Sequence, residues 1–514
     1  MSPAVKNSDA ETVDVAIVGG GPTGLATGLL LQRLGVSVSI IDGKPASLDL
    51  GRADALNART QQYLELANLL DDLTAVGLEC NTSSTFGAGA FKSRQNEWWV
   101  GLQHCLHKNF LMIGQPVVEK MLSDRLGPVV HYGEKVVAIT EDEASAEVVT
   151  DLGRVVTAKY VLGADGARSF SRSAIGATFT GTKPEMLWAV LDVFIETDFP
   201  RCAEIITFEL DGQSRVSWIP RERGLCRFYV LLDGEVTLER SQESIKQHMV
   251  PHRVEFTKVE WYSTFDVKER IANTFISKDG AGRVFLGGDA AHVHSVNGGQ
   301  GLNTGIADAF SVAWRLAMVL TNPRLQPGAA QKILHSYDDE RRSTAQGVID
   351  VAAALVRDTV REAKTYVGTI ERNAGYITGM GVAYDECQSP IVTESSVGIW
   401  KAGYRCPDVV VTPIAGSESR WLYQEASYGK FVVLQIGEQQ LSGLGFGQDV
   451  TIYKITGTAA EDSHEDANVK SFLADWITPE DSAIVVVRPD FYIGHVGRDV
   501  EATRQYLGSL FKNE

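Results

Sequence analysis

Apolar residues at the start of the chain follow a strand–helix–strand rhythm. Val13–Val18 reads VDVAIV, a short branched-rich run that predicts a buried parallel strand. Three glycines follow, then Leu25, Leu29, Leu30 and Leu34 at helical spacing, with Gly35 placed as a C-cap. Val36–Ile41 predicts a second strand, closed by Asp42, which completes a βαβ unit of about 30 residues. Farther on, Leu56, Tyr63, Leu64, Leu66 and Leu69 predict a helix within 50–75, and 76–110 reads as strands and loops with Trp98 and Trp99. Val117–Leu126 reads as helix, and Val129–Ala158 as strands about the Asp151-Leu152-Gly153 turn. Residues 185–268 read as strands with long loops, 304–375 as helix, Cys387–Pro413 as a turn-rich linker, and the last hundred as mixed α/β.

Composition narrows the class. The 514 residues suggest about three domains, and 44% apolar with 22% charged residues is ordinary for a globular protein. A formal charge of −17 argues against nucleic acid or an anionic membrane as main partner. The six cysteines are scattered without a CxxC pair, as expected of reduced thiols. Met1–Thr12 lacks an apolar signal core, and no run is long and apolar enough to span a bilayer. A soluble cytoplasmic protein is expected, with no bound metal: His292 and His294 alternate without a third ligand nearby.

Gly19-x-Gly21-x-x-Gly24 lies between the first strand and the first helix, with Pro22 and Thr23 inside it. Glycines at this spacing allow a tight turn, close approach of backbone to a pyrophosphate, and close helix–strand packing. The helix start adds free N–H donors and a positive dipole end. Asp42 sits where a carboxylate would bind ribose hydroxyls, with Lys44 just beyond. Together these predict a dinucleotide site, without saying which dinucleotide.

Three later segments narrow that choice. Tyr160–Arg172 holds a strand ending in Gly163-Ala164-Asp165-Gly166; Gly282–His292 delivers Asp289 past a strand end; Gly298–Asp308 runs glycines into a long helix bearing Ile306, Phe310, Ala313, Ala317 and Leu320. In this order the segments resemble the GxGxxG, DG and GD motifs of class A flavoprotein monooxygenases, over nearly the whole chain. The resemblance implies FAD held by Gly19, Gly21, Pro22, Thr23, Gly24, Asp42, Lys44, Arg52, Gln115, Asp165, Gly166, Asp289, Gly299, Gly301, Leu302 and Asn303. Asp289 would accept from ribityl hydroxyls, and the helix start at Gly301–Asn303 would face the flavin edge that gains charge on reduction. Gln115 and Glu119 resemble the family's glutamine–glutamate helix, and Arg52 its arginine beside the pyrophosphate.

Two further segments resemble the phenol 2-monooxygenase branch: Gly51–Thr60, and Ile219-Pro220-Arg221-Glu222 followed by Arg227-Phe228-Tyr229. By that resemblance Asp54 orients or deprotonates a phenolic hydroxyl, Tyr229 bridges substrate and flavin, and Arg227 holds the isoalloxazine. Asp54 also suits a helix N-cap, and Arg227 and Tyr229 also suit a plain strand face. The implied fold is α/β: a Rossmann-type, para-hydroxybenzoate-hydroxylase-like FAD-binding domain over 10–180 and 280–345, carrying the strand-rich segment 76–110. A mainly β substrate domain (181–279), a helical segment and linker (346–400) and a thioredoxin-like α/β domain (401–514) complete it. The implied reaction uses NADPH or NADH and O2, through a C4a-hydroperoxyflavin, to hydroxylate an electron-rich aromatic in a pocket mainly within 185–268, with a homodimer as the assembly. Epoxidation or dearomatisation of a larger aromatic natural product, a flavin oxidase or dehydrogenase, and a non-catalytic flavin scaffold remain as alternatives. Val296 stands where the family has a proline beside the flavin, which puts pocket shape in doubt.

Overall fold

The computed structural model describes residues 11–97, 102–184, 186–200, 203–211, 213–295, 298–359, 363–414, 416, 418–438, 441, 444–457, 468–478 and 481–513. Trp98, Trp99, Cys202 and Val296 lie outside them.

Three seven-stranded sheets organise the chain. In the first, Glu11–Val18 pairs in parallel with Val38–Asp42 on one side and Val155–Gly163 on the other, and the latter pairs in parallel with Val284–Leu286. The register brings Val18 beside Ile41 and Gly163, and Gly163 beside Leu286, so these strands end at one edge. Ligands of open α/β sheets bind beyond such carboxyl ends. Helix Pro22–Arg33 crosses from the first strand toward the second and packs against the 22-residue helix Gln300–Thr321. Thr23 sets how close they come: a Cβ on either Gly288 or Gly305 would lie 2.5 Å from its Oγ1.

The second sheet runs, in spatial order, Val254–Asp266, Leu187–Thr197, Cys226–Leu231, Gln213–Pro220, Ile205–Leu210, Thr82–Gly87 and Ala90–Glu97. Its last two strands come from far earlier in the chain and join by parallel pairing of Thr82–Gly87 with Ile205–Leu210. Ile206, Phe208, Val216, Trp218, Phe228 and Val230 face a core closed by helix Leu238–Met249, through Ile245 and Met249. The strand-like reading of 185–268 missed this helix, which Thr237 caps by accepting from the Arg240 N–H at 3.2 Å.

The third sheet, built from 410–497, has three parallel strands (Phe431–Ile436, Val450–Thr456, Val469–Leu473) flanked by antiparallel ones. Its N-terminal approach is no loose linker. Trp400 is 1% exposed and Cys406 is fully buried, and Gly403 donates to Ile493 O at 2.8 Å. Arg405 also ties this stretch to the carbonyls of Gln103 and His104. The third sheet meets the rest through fully buried charges. Glu340, on the 31-residue helix Ala329–Thr359, accepts from Arg488 at 2.6 and 2.9 Å and from Arg315 at 2.5 Å. Asp490 accepts from Arg488 at 2.6 Å and from the Trp314 indole at 3.0 Å.

Candidate functional site

The glycine turn has the shape its spacing predicts. Gly19 holds φ +115°, and a Cβ there would fall 2.2 Å from Ala164 O; a Cβ on Gly24 would fall 1.9 Å from Gly19 O. Gly21, the N-cap of the helix, has no side-chain cap and nothing within 4 Å of an added Cβ, so its space is open, and Pro22 begins the helix where no N–H is missed. Open space therefore fronts uncapped helix N–H groups, a setting that suits a pyrophosphate. Asp42 accepts from the N–H of Gly20 and, at 2.7 Å, from that of Lys44. It braces the turn while lying only 8% exposed at the strand end. Lys44 Nζ lies 3.6 Å from Glu119 and 3.8 Å from Asp42.

Asp165 and Gly166 follow the strand end at Gly163. The Asp165 carboxylate accepts from Ser169 Oγ at 2.5 Å and from the Ser171 N–H at 2.9 Å, so it shapes its own turn, and Gly166 takes φ +80°. Asp289 is solvent-exposed beyond the strand Val284–Leu286. Surrounding protein desolvates its carboxyl and raises its pKa, with His292 and Arg52 pulling it partly back. Gly299, at φ +62°, is the uncapped N-cap of the long helix, followed by Gly301 and Leu302. Asn303 donates to Ala55 O at 3.0 Å and accepts from the Asn57 N–H at 2.9 Å, fastening that helix to the segment bearing Asp54.

Loop 48–54 is held from below. Glu119 accepts from the Leu48 N–H at 3.0 Å and from Gln115 Nε2 at 2.8 Å, while Gln115 Oε1 accepts from the Ala53 N–H at 3.3 Å. Arg52, exposed at φ +67°, stands on that loop, and Gly51 beside it has no room for a Cβ because the Trp261 indole would lie 2.3 Å away.

The structure brings Asp54, Tyr229 and Arg227 together. Tyr229 donates to Asp54 Oδ2 at 3.1 Å, and Arg227 NH1 lies 3.5 Å from the same oxygen. Asp54 is no helix cap: Asn57 is, accepting from the Thr60 N–H at 2.9 Å. Burial, then the Asp54 charge, pushes the Tyr229 hydroxyl up, so it stays protonated as a donor. Burial alone would lower Arg227; Asp54, Tyr229 and Asp192 outweigh it and keep the guanidinium charged. Arg227 is fully buried and spends two donors on Asp192, at 2.7 and 2.6 Å, and another on Arg52 O. It thus holds the Asp54 loop to the sheet. Asp192 was not foreseen from sequence, because its role rests on the pairing of Asp192 with Arg227 across two strands.

Asp54 and Tyr229 line a cavity of about 1010 Å³, counting its open mouth. Residues 185–268 supply Trp188, Ile205, Thr207, Ser217, Ile219 and Tyr229; the rest of the wall comes from elsewhere in the chain, including Ser83, Thr85, Phe110, Met112, Gly298, Gly299, Ile370 and Ile377. Among the described residues no cluster of His, Cys, Asp and Glu could hold a metal ion, and no helix is long and apolar enough to cross a membrane.

The family model described as FAD binding domain matches residues 12–352. The FAD-dependent monooxygenase terD of Aspergillus terreus is 31% identical, over 70% of this chain and 61% of that protein. The phenol 2-monooxygenase fsqG of Aspergillus fumigatus is 28% identical, over 73% and 66%. The chain thus spans about three fifths to two thirds of the length of these curated relatives. Among solved structures, the flavin-dependent monooxygenase PieE, in complex with FAD and substrate, superposes with a TM-score of 0.77 at 18% identity, covering 99% of each chain. Aklavinone-11 hydroxylase, with FAD and aklavinone, superposes at 0.75 and 21% identity, covering 97% of this chain and 99% of that one.

Proposed function

Because the chain belongs to the FAD binding domain family, with FAD as its cofactor, we propose that it is an NAD(P)H-dependent monooxygenase that hydroxylates an electron-rich, phenol-like aromatic ring. The observation that carries this reading is the Tyr229–Asp54 hydrogen bond in the wall of an apolar cavity that the helix start at Gly299 also lines. When bound, FAD would carry the two electrons of NAD(P)H to O2, so that one oxygen atom goes to the ring and the other leaves as water. The residues around it do the rest.

Gly21 and the helix behind it hold the pyrophosphate, Asp289 the ribityl hydroxyls, and Gly299–Asn303 the flavin edge. Asp54 accepts the phenolic proton, which raises electron density in the ring where an electrophilic oxygen attacks. Tyr229, kept protonated, donates to Asp54 or to the substrate oxygen. Arg227 and Asp192 hold Asp54 in place, and the apolar wall excludes water from the reacting carbon. A cytoplasmic homodimer with a thioredoxin-like C-terminal unit belongs to the same reading.

Turnover in 18O2 with NADPH or NADH and a panel of phenols tests it. The expected product carries one labelled oxygen per NAD(P)H consumed. Full NAD(P)H consumption with unlabelled product would replace the oxygenase by an oxidase or dehydrogenase.

A further inference from the structure

The cavity wall carries a pattern of which the hydroxylation chemistry uses only one end, Tyr229. Thr85 pairs with Thr207, Thr207 with Ser217, and Ser217 with Tyr229 across four neighbouring strands. Directly paired residues point to the same face of a sheet, so these four hydroxyls form one row on the cavity side. Three strand spacings separate its ends, about 14 Å. The hydroxyls of Thr85, Thr207 and Ser217 have no hydrogen-bond partner among the described residues, nor does that of Ser83, which lines the same wall while only 9% exposed. Two residues along the same strands, Ile205 and Ile219 form an apolar row beside the hydroxyls, and Ile370 and Ile377 contribute further apolar surface to the cavity.

A monocyclic phenol anchored at Asp54 and Tyr229 spans roughly one strand spacing and leaves the row unmet. Unmet hydroxyls are costly once an apolar ligand displaces their water, so the row favours a ligand with acceptors or donors to offer.

We propose that Thr85, Thr207 and Ser217 form a second substrate subsite, which selects a planar aromatic of about three or more fused rings with oxygen substituents along one edge. The ring face lies on Ile205 and Ile219, the oxygenated edge meets the hydroxyl row, and the phenolic ring to be oxidised is placed at Asp54 and Tyr229. Only this last placement rests on the oxygenase reading; the subsite itself is a matter of binding.

Calorimetry on the FAD-loaded protein tests it, with emodin, the oxygen-free three-ring hydrocarbon anthracene and phenol as probes. Emodin should bind at least about tenfold tighter than either other probe. Thr207→Val and Ser217→Ala should each weaken emodin by about three- to tenfold, the worth of one hydrogen bond, without weakening anthracene or phenol. Phenol or anthracene binding as tightly as emodin, or emodin binding indifferent to both substitutions, overturns the subsite. Hydroxyl-dependent emodin binding without 18O incorporation into any aromatic would keep the subsite and remove the oxygenase reading.

Discussion

Asp54 sits between a hydroxyl that donates to it and a guanidinium held by Asp192. Replacing it by Asn keeps the shape and removes the base. Asp54→Asn should lower kcat/KM for phenolic substrates by about 10²–10⁴, the usual range for general-base catalysis, with the flavin absorbance of the purified protein unchanged. Full turnover by that variant would remove Asp54 from the chemistry. Asp408 offers a different residue-level test. Burial pushes its carboxyl up to about 7, with the Tyr423 N–H pulling only part of the way back. An acid whose folded pKa is raised costs stability as pH climbs from its unfolded pKa, near 4, to its folded value. Wild type should therefore lose stability from about pH 4 to 7, and Asp408→Asn should flatten that slope, gaining on the order of a few kcal/mol by pH 8. Parallel pH profiles of urea unfolding check this; identical slopes would show that Asp408 does not titrate there. The glycine turn was legible in the sequence because its chemistry is local. Asp192, Thr207 and Ser217 were not, because what they do depends on which strand each one faces.

Elements show the same division. The opening strand–helix–strand unit, with its apolar spacing and terminal glycine, is readable within one window of sequence. Helix Leu238–Met249 was hidden among strands because it turns only Ser241, Ile245, His248 and Met249 inward. Segment 387–413 looked like a linker because its anchoring is long-range, from Arg405 to Gln103 and His104 and from Gly403 to Ile493. Helix Gln115–Leu126 serves the site by holding loop 48–54 through Glu119, which is 1% exposed. Glu119→Ala would orphan the Leu48 N–H and free Gln115, loosening the loop that carries Arg52 and Asp54. FAD dissociation, followed by flavin fluorescence, should become about tenfold easier or more, while unchanged FAD affinity would show that the loop holds without Glu119.

At the scale of the molecule, the third sheet is joined to the remainder by buried charges rather than by an oily face alone. Glu340 neutralises Arg488 and Arg315 together, so Glu340→Ala leaves two buried cations short of a partner. A loss of about 3–5 kcal/mol follows, measured as a lowered denaturation midpoint; a midpoint within error of wild type would mean that water already reaches the seam. The contact between Gly51 and Trp261 has a consequence of another kind. An indole pressed against the backbone of the loop beside Asp54 is a built-in optical gauge. If that loop swings outward to admit NAD(P)H or substrate, Trp261 becomes wetter and its emission shifts to the red. With Trp261→Phe as the blank, stopped-flow fluorescence would time the opening without any label being added.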